Sequence, residues 1–362
     1  MKSGLSIEEI GTEILRQSQA KADYAVDTRR LQMEAYDTDL VMRVMDDSAV
    51  DLLEPLDISQ IAHRQIGTHL NIPVKYYDKM RSENPGLLAH NVNDWFAKEP
   101  AQRMLRTLDG SARAFLSNRY RRIDHLEILQ AILPIIGEMP EARFESCEIT
   151  DSRLYIKAVN PRLQAEVARG DIVQAGIMIS NSETGQGAVC IQPLVFRLVC
   201  LNGMIVNDAK TRRNHVGRAN ASDENFLLYT DKTLRADDRA FLLKVQDTVR
   251  VAVDEAKFNL VVDKMREASG AQMNTSDIPA VVKLASKDFG LSESEGDGVM
   301  NHLIAEHDYT LYGLANAVTR QSQDVESYDR ATELEGIGYD ILSMEHTRWQ
   351  RINQVAAIQT AA

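Results

Sequence analysis

Hydrophobic positions along this chain follow two regimes. Between about residues 100 and 215 they come in short alternating or β-branched runs, and from Ser222 onward they recur every three or four residues among abundant charge. The first pattern predicts strands and the second helices, so the expected fold class is α+β. A central antiparallel sheet with hairpins would be preceded by N-terminal helices and followed by a helical C-terminal region. The corresponding segments are 1–99, 100–220 and 221–362.

The most apolar stretch runs from Asp171 to His215. Ile172–Ser180 predicts a buried strand and Ala188–Val199 its partner. Between them lies Ser180–Gly187, where two glycines with Asn and Ser call for positive φ or a close backbone approach. One reading is a hairpin loop. The other is a backbone-lined anion pocket built from Asn181, Ser182, Glu183, Thr184, Gly185 and Gly187, although the stretch lacks the lysine of a phosphate loop and opens no helix. Asn202-Gly203 predicts a further turn. Beyond it the apolar pattern stops, and Lys210, Arg212, Arg213, Asn214, His215 and Arg218 follow, as a phosphate-binding cluster or a solvated loop.

Upstream, Asp109-Gly110 between Gln102–Leu108 and Ser111–Leu116 predicts a hairpin with a type I′ turn. Arg103, Arg106 and Arg113 interleave there with Met104, Leu105, Ala114 and Phe115. The run continues through Arg119, Tyr120, Arg121 and Arg122 into a helix from Asp124 to Ile136, with Asp124 as its cap. Guanidiniums interleaved with aromatic rings suit a single-strand platform, in which cations track phosphates and rings stack on bases. The competing reading pairs Arg119, Arg121 and Arg122 with acidic neighbours at the strand–helix junction. Arg143–Ile149 and Leu154–Val159 predict another hairpin, and Pro161–Gly170 a polar connection.

Helices are predicted at Ile7–Gln17, at Gln60–Leu70 behind Ser59, from Pro73 through Met80, and at Leu87–Ala97. Asp39–Leu56 predicts short strands. The pair of short helices near Asn71 admits a helix-turn-helix reading, but the second lacks a polar recognition face, which favours core packing. Downstream, helices are predicted at Leu234–Phe258, Leu260–Ser269, Ser276–Phe289, His302–Val318 and Ala331–Ala357, with Leu291–Gly298 as an acidic loop.

Composition adds limits. With 44% hydrophobic and 26% charged residues the chain can bury a core, and no run approaches the roughly 18 apolar residues of a membrane span. The acidic N-terminus does not read as a secretory signal. Cys147, Cys190 and Cys200 have no paired spacing and sit in apolar strands, as expected of reduced thiols in a cytoplasmic protein. Net charge is −12, yet residues 101–220 hold 16 Lys+Arg against 12 Asp+Glu. An acidic body around a locally basic β platform is compatible with nucleic-acid contact. His302, Glu306 and His307 lack the order of a zinc-binding helix, and Cys200 and His215 are too isolated to form a nucleophile–base pair. No catalytic set, metal or cofactor is expected.

Three segments carry a family resemblance: LSNRYRRIDHLEIL (Leu116–Leu129), ISNSETGQGAVCIQP (Ile179–Pro193) and RLVCLNGMI (Arg197–Ile205), with IPVKYYDKM and HNVNDWF upstream. Over roughly residues 55–260 the chain resembles the phage/plasmid-like family of unknown function. That resemblance implies a mobile-element protein made in a bacterial cytoplasm, and it transfers no catalytic residues. By fold-level analogy with phage single-strand annealing proteins, it suggests a homo-oligomeric ring or filament that binds extended DNA. The expected function is a non-catalytic DNA-metabolism accessory that binds or anneals single-stranded DNA. Phosphates would lie on Arg113, Arg119, Arg121, Arg122, Lys210, Arg212 and Arg213, with Phe115 or Tyr120 stacking on bases. The alternative is a protein–protein module, a phage assembly component or an inhibitor of host defence, that works through an acidic surface.

Overall fold

Alternation places the strands in two sheets rather than one. The computed structural model describes residues 1–36, 39–46, 48, 50–207, 211–213, 231–252, 254–274 and 277–361. The first sheet contains β1 (Ala22–Asp27), β2 (Leu31–Tyr36), β3 (Asp39–Val44), β4 (Leu56–Ile58), β5 (Gln102–Leu108) and β6 (Ser111–Ser117), in the order β1-β5-β6-β4-β3-β2. Only the β4–β6 pairing is parallel. The stretch after the first helix, which has no clear period, thus forms strands because β5 and β3 offer edges to pair with. The Asp109-Gly110 hairpin forms as predicted, both turn residues having positive φ (49° and 76°). It belongs, however, to the N-terminal sheet and not to the central one.

The second sheet is a meander, β11-β10-β9-β8-β7, from β7 (Arg143–Ile149), β8 (Leu154–Ala168), β9 (Asp171–Asn181), β10 (Val189–Arg197) and β11 (Asn202–Ile205); β12 (Thr211–Arg213) also pairs with β10. Strand β8 runs straight through the predicted polar connection. Its register shifts between Asn160 and Gln164, so Pro161, which has no N–H to donate, falls in an irregular stretch of the ladder. Asn202-Gly203 opens β11, and the turn falls earlier, with Leu201 at φ 52°.

Helices α1 (Ile7–Ala20), α2 (Gln60–His69), α3 (Val74–Glu83), α4 (Pro85–Lys98) and α5 (His125–Glu138) precede or interrupt the sheets. Helices α2 to α4 bury Ile66, Tyr77, Leu88 and Phe96 on the first sheet against Met33, Met42, Leu105 and Phe115. Consecutive β8 and β9 residues alternate on the second sheet. Leu154, Ile156, Ile177 and Ile179 pack with Ile10 and Ile14 of α1 and Ile128 and Ile132 of α5, while Tyr155, Val159 and Met178 face the opposite way.

The C-terminal helices are α6 (Asp231–Ala252), α7 (Glu255–Gly270), α8 (Ile278–Asp288), α9 (Glu293–Glu306), α10 (Leu311–Gln321), α11 (Tyr328–Leu342) and α12 (His346–Ala361). Three predicted helices are each divided, the last of them, Ala331–Ala357, between Leu342 and His346. Asp254 caps α7, and left-handed His307 (φ 54°) ends α9 before Thr310 caps α10. The predicted acidic loop is mostly the first turns of α9. Ser292 and Glu295 form a capping box, with Ser292 Oγ accepting the Glu295 N–H at 3.3 Å and the Glu295 carboxylate accepting the Ser292 N–H at 2.8 Å. Among the described residues no helix is long and apolar enough to cross a membrane.

The box predicts that Ser292→Ala costs about 1 kcal/mol, read as a lower urea midpoint at unchanged m-value. An unaltered midpoint would show that the first turn of α9 holds without its cap.

Candidate functional site: the buried 180–187 loop and the basic segments around it

β9 ends at Asn181, and the chain then enters the groove between the two sheets instead of turning back at once. Asn181, Ser182, Glu183 and Thr184 are all buried. Three groups of the loop are tied to three different elements. The Tyr120 hydroxyl donates to Ser182 O at 3.0 Å, Gln65 Nε2 of α2 donates to Thr184 O at 2.7 Å, and Asn181 Nδ2 donates to Ile123 O at 2.9 Å. Gly185 takes φ +76°, and a Cβ there would lie 2.6 Å from Leu116 Cδ2. The glycine is required by both its conformation and its neighbour. A Cβ on Gly187 would collide with the Arg153 guanidinium, which donates to Gln186 O.

Glu183 is the charge at the centre. Its side chain is 2% exposed and accepts from Lys21 Nζ (3.0 Å), Arg113 Nη1 (3.1 Å) and the His125 backbone N–H (2.7 Å), the last at the N-terminus of α5. Burial by itself would push this carboxyl up. The interactions with His125, Lys21 and Arg113 outweigh it and hold Glu183 down at about 2. Alongside, Arg106, 1% exposed, donates to the Glu183 carbonyl at 3.0 Å, to Asp23 at 2.7 Å and to Asp124 at 2.8 Å. Lys21 bridges Asp124 at 2.9 Å. Three cations thus meet three carboxylates in one buried network.

The predicted single-strand platform is largely absorbed into this packing. Phe115 is 3% exposed and stacks on Phe96 with ring centroids 5.7 Å apart, while Tyr120 is 8% exposed with its hydroxyl on Ser182. Neither ring has a face available to a base. Arg113 is spent on Glu183, Arg121 pairs with Asp237 of α6, and Arg122 reaches Asp23 at 3.2 Å from an exposed position. Arg119 is half-buried in the same turn. The pairing of these arginines with acidic neighbours, one of the two alternatives for this segment, therefore describes most of them. Lys210 lies outside the described residues, as does His215. Arg212 and Arg213 lie on β12, opposite Cys190 and Val189 of β10.

Segments distant in sequence nevertheless meet at one place. The 119–123 turn touches the loop through Tyr120 and Ile123, and β12 pairs with the first residues of β10, immediately after the loop. Arg153, beside Gln186, joins them. Sequence reading missed Lys21, Asp23 and Arg153. The first two lie in a stretch without period, and Arg153 was read only as part of a hairpin bend.

The remaining polar candidates have structural partners. Arg197 bonds Asp171 and Glu306, each at 2.7 Å, which makes it a structural arginine. His302 pairs with Asp324 at 2.6 Å, so His302 and Glu306 point to different partners. Among the described residues no three His, Cys, Asp or Glu side chains are placed to hold a metal. All three cysteines are free, and burial pushes the Cys147 thiol up to about 12 and Cys200 up to about 11, away from the reactive thiolate. The shifted groups here bind and brace.

The fold and site therefore define an α+β protein of two sheets joined by a buried ionic loop, with a helical C-terminal region. A family model described as a domain of unknown function, DUF932, matches residues 113–357, well over half of the chain, and the protein belongs to that family. The match takes in the 119–123 turn, the loop, β12 and the C-terminal helices. No curated protein and no solved structure matches the chain.

Replacing Glu183 with Gln leaves Arg113 buried without its countercharge and Lys21 with Asp124 alone, and should cost about 3–5 kcal/mol. Denaturant unfolding measures this, and a loss below about 1 kcal/mol would show the network to be dispensable. Burial also holds the His125 and His69 imidazoles at about 4 and His63 at about 3, against an ordinary 6.5. The unfolded chain then binds more protons than the folded one below about pH 6.5, so stability is full above that value and falls as pH drops toward 4. Melting temperatures at pH 7.5, 6.0 and 5.0 should decline in that order, and a flat profile would contradict the assignment.

Proposed function

We propose that this protein is a non-catalytic DNA-metabolism accessory that binds, and in a complex can anneal, single-stranded DNA. The observation that carries the reading is the convergence of the 119–122 turn, Arg153 and β12 around the 180–187 loop. Segments rich in basic residues brought together beside one loop suit a phosphate backbone, whose contacts are electrostatic and indifferent to sequence. Stacking on Phe115 and Tyr120 forms no part of this reading, since both rings are in the core. The working setting is the cytoplasm of a bacterium that carries a phage or plasmid, and the working form a homo-oligomer, in which repeated edges would hold a long strand.

The test is fluorescence anisotropy with a labelled single-stranded oligonucleotide and its duplex at about 50 and about 200 mM salt, a range over which several phosphate contacts weaken binding steeply. Saturable binding that favours the single strand, falls with salt and is lost in Arg212→Glu/Arg213→Glu is expected. Absence of binding at the lower salt would overturn the reading and favour the acidic-surface protein module instead.

A further inference from the structure

On the face of the second sheet opposite α5, β8, β9, β10 and β11 leave a cleft of about 600 Å³ under α11, within the size range of small-ligand sites. Its floor is apolar, with Tyr155, Met178 and Ile205 from the strands and Ile337 from the helix. A chain of amides crosses one wall. Gln192 Nε2 donates to Asn207 Oδ1 at 3.1 Å, and Asn207 Nδ2 donates to Asp340 at 2.8 Å. Asp329 lies elsewhere on the α11 wall, its carboxylate accepting the Ser152 and Thr150 hydroxyls at 2.6 and 3.0 Å. Among the described residues neither Asp329 nor Asp340 has a cationic partner. Arg153 is the arginine on the rim, beside Gln186 of the loop, and among the described residues no carboxylate pairs with it.

This combination selects a ligand. Two carboxylates with no cationic partner among the described residues, beside Glu333 paired with Arg330, accept hydrogen bonds and repel acceptors; an apolar floor takes a flat face; one guanidinium takes an anion. The geometry points to a nucleotide pocket that holds an amino-bearing base, such as cytosine or adenine, in preference to thymine, between the sheet and α11, with its phosphate on Arg153. A carboxylate accepts the exocyclic amino group of cytosine, whereas thymine presents a carbonyl oxygen at the same position. The inference rests on the single-strand reading and deepens it: the strand would follow the basic loop edge and drop bases into the cleft. Thymine discrimination is its distinguishing consequence, because stacking alone is tolerant of sequence.

Two measurements at pH 7.5 test it separately from the function. Anisotropy compares equal-length oligo(dC), oligo(dA) and oligo(dT), and saturation-transfer NMR titrates free dCMP against TMP. Oligo(dC) and oligo(dA) should bind about tenfold more tightly than oligo(dT), the effect of about one charge-assisted hydrogen bond. Asp340→Ala, a change on an exposed position of α11, and Asp329→Asn should each shrink that ratio toward one, with oligo(dT) affinity equal to or above its starting value. Saturation by dCMP without oligonucleotide binding would support the pocket and overturn the single-strand function. Oligonucleotide binding with no base preference and no dCMP saturation would overturn the pocket alone. No binding of either probe would overturn both.

Discussion

One buried carboxylate sets the relation between the two sheets. Glu183 receives a cation from the end of α1, another from β6 and a backbone N–H from the first turn of α5, while Arg106 of β5 holds its main chain. Removing an ion from water costs several kcal/mol, and only the full set of partners offsets that. The network thus tolerates very few arrangements of its elements, since a shift of either sheet leaves a charge unpaired. Packing alone is less selective, because apolar faces can slide at small cost. The loop that carries Glu183 acts as a register pin between sheets whose hydrophobic cores are otherwise separate.

The same network changes how the charge of the middle segment should be understood. Residues 101–220 hold an excess of Lys and Arg, yet Arg106, Arg121, Arg122 and Arg197 each pair with a carboxylate from outside that range, and Arg113 with Glu183 inside it. Asp23, Asp237 and Glu306 lie outside the segment and neutralise it from there. A local count of charges therefore overstates the field that reaches solvent. What remains near the loop among the described side chains is narrower: Arg153 at the mouth of the cleft.

The wall of that cleft is itself fixed from below. Lys157 of β8 and Glu335 of α11 are both fully buried and lie 2.7 Å apart, with the Lys157 ammonium 4.6 Å from the centre of the Tyr328 ring. This pair holds α11 over the sheet and leaves the Asp329 and Asp340 carboxylates on the cleft that the helix walls. An ion pair to the sheet and acceptors along the cleft give the helix two tasks, and its polar positions serve both although the helix is largely buried.

Much of the architecture follows from sequence because it depends on local geometry. Short β-branched apolar runs marked β9 and β10, Asp109-Gly110 fixed its own hairpin through positive φ, and three- and four-residue spacing marked the C-terminal helices. The Ser292–Glu295 box was passed over as part of an acidic loop, and α9 starts there. Pairing partners were not legible, because strand β1 has no strong pattern of its own and becomes a strand only when β5 offers hydrogen bonds. The candidate site divides in the same way. Sequence determined that residues 180–187 would be a glycine-bearing connection and that basic residues would crowd near Arg119–Arg122 and Arg212–Arg213. Only the tertiary structure decided that the connection is buried, that Lys21 and Asp23 belong to it, and that Phe115 and Tyr120 are core rings. Those outcomes depend on which distant carboxylates and faces the folded chain brings within a few ångströms, and no local pattern encodes that distance.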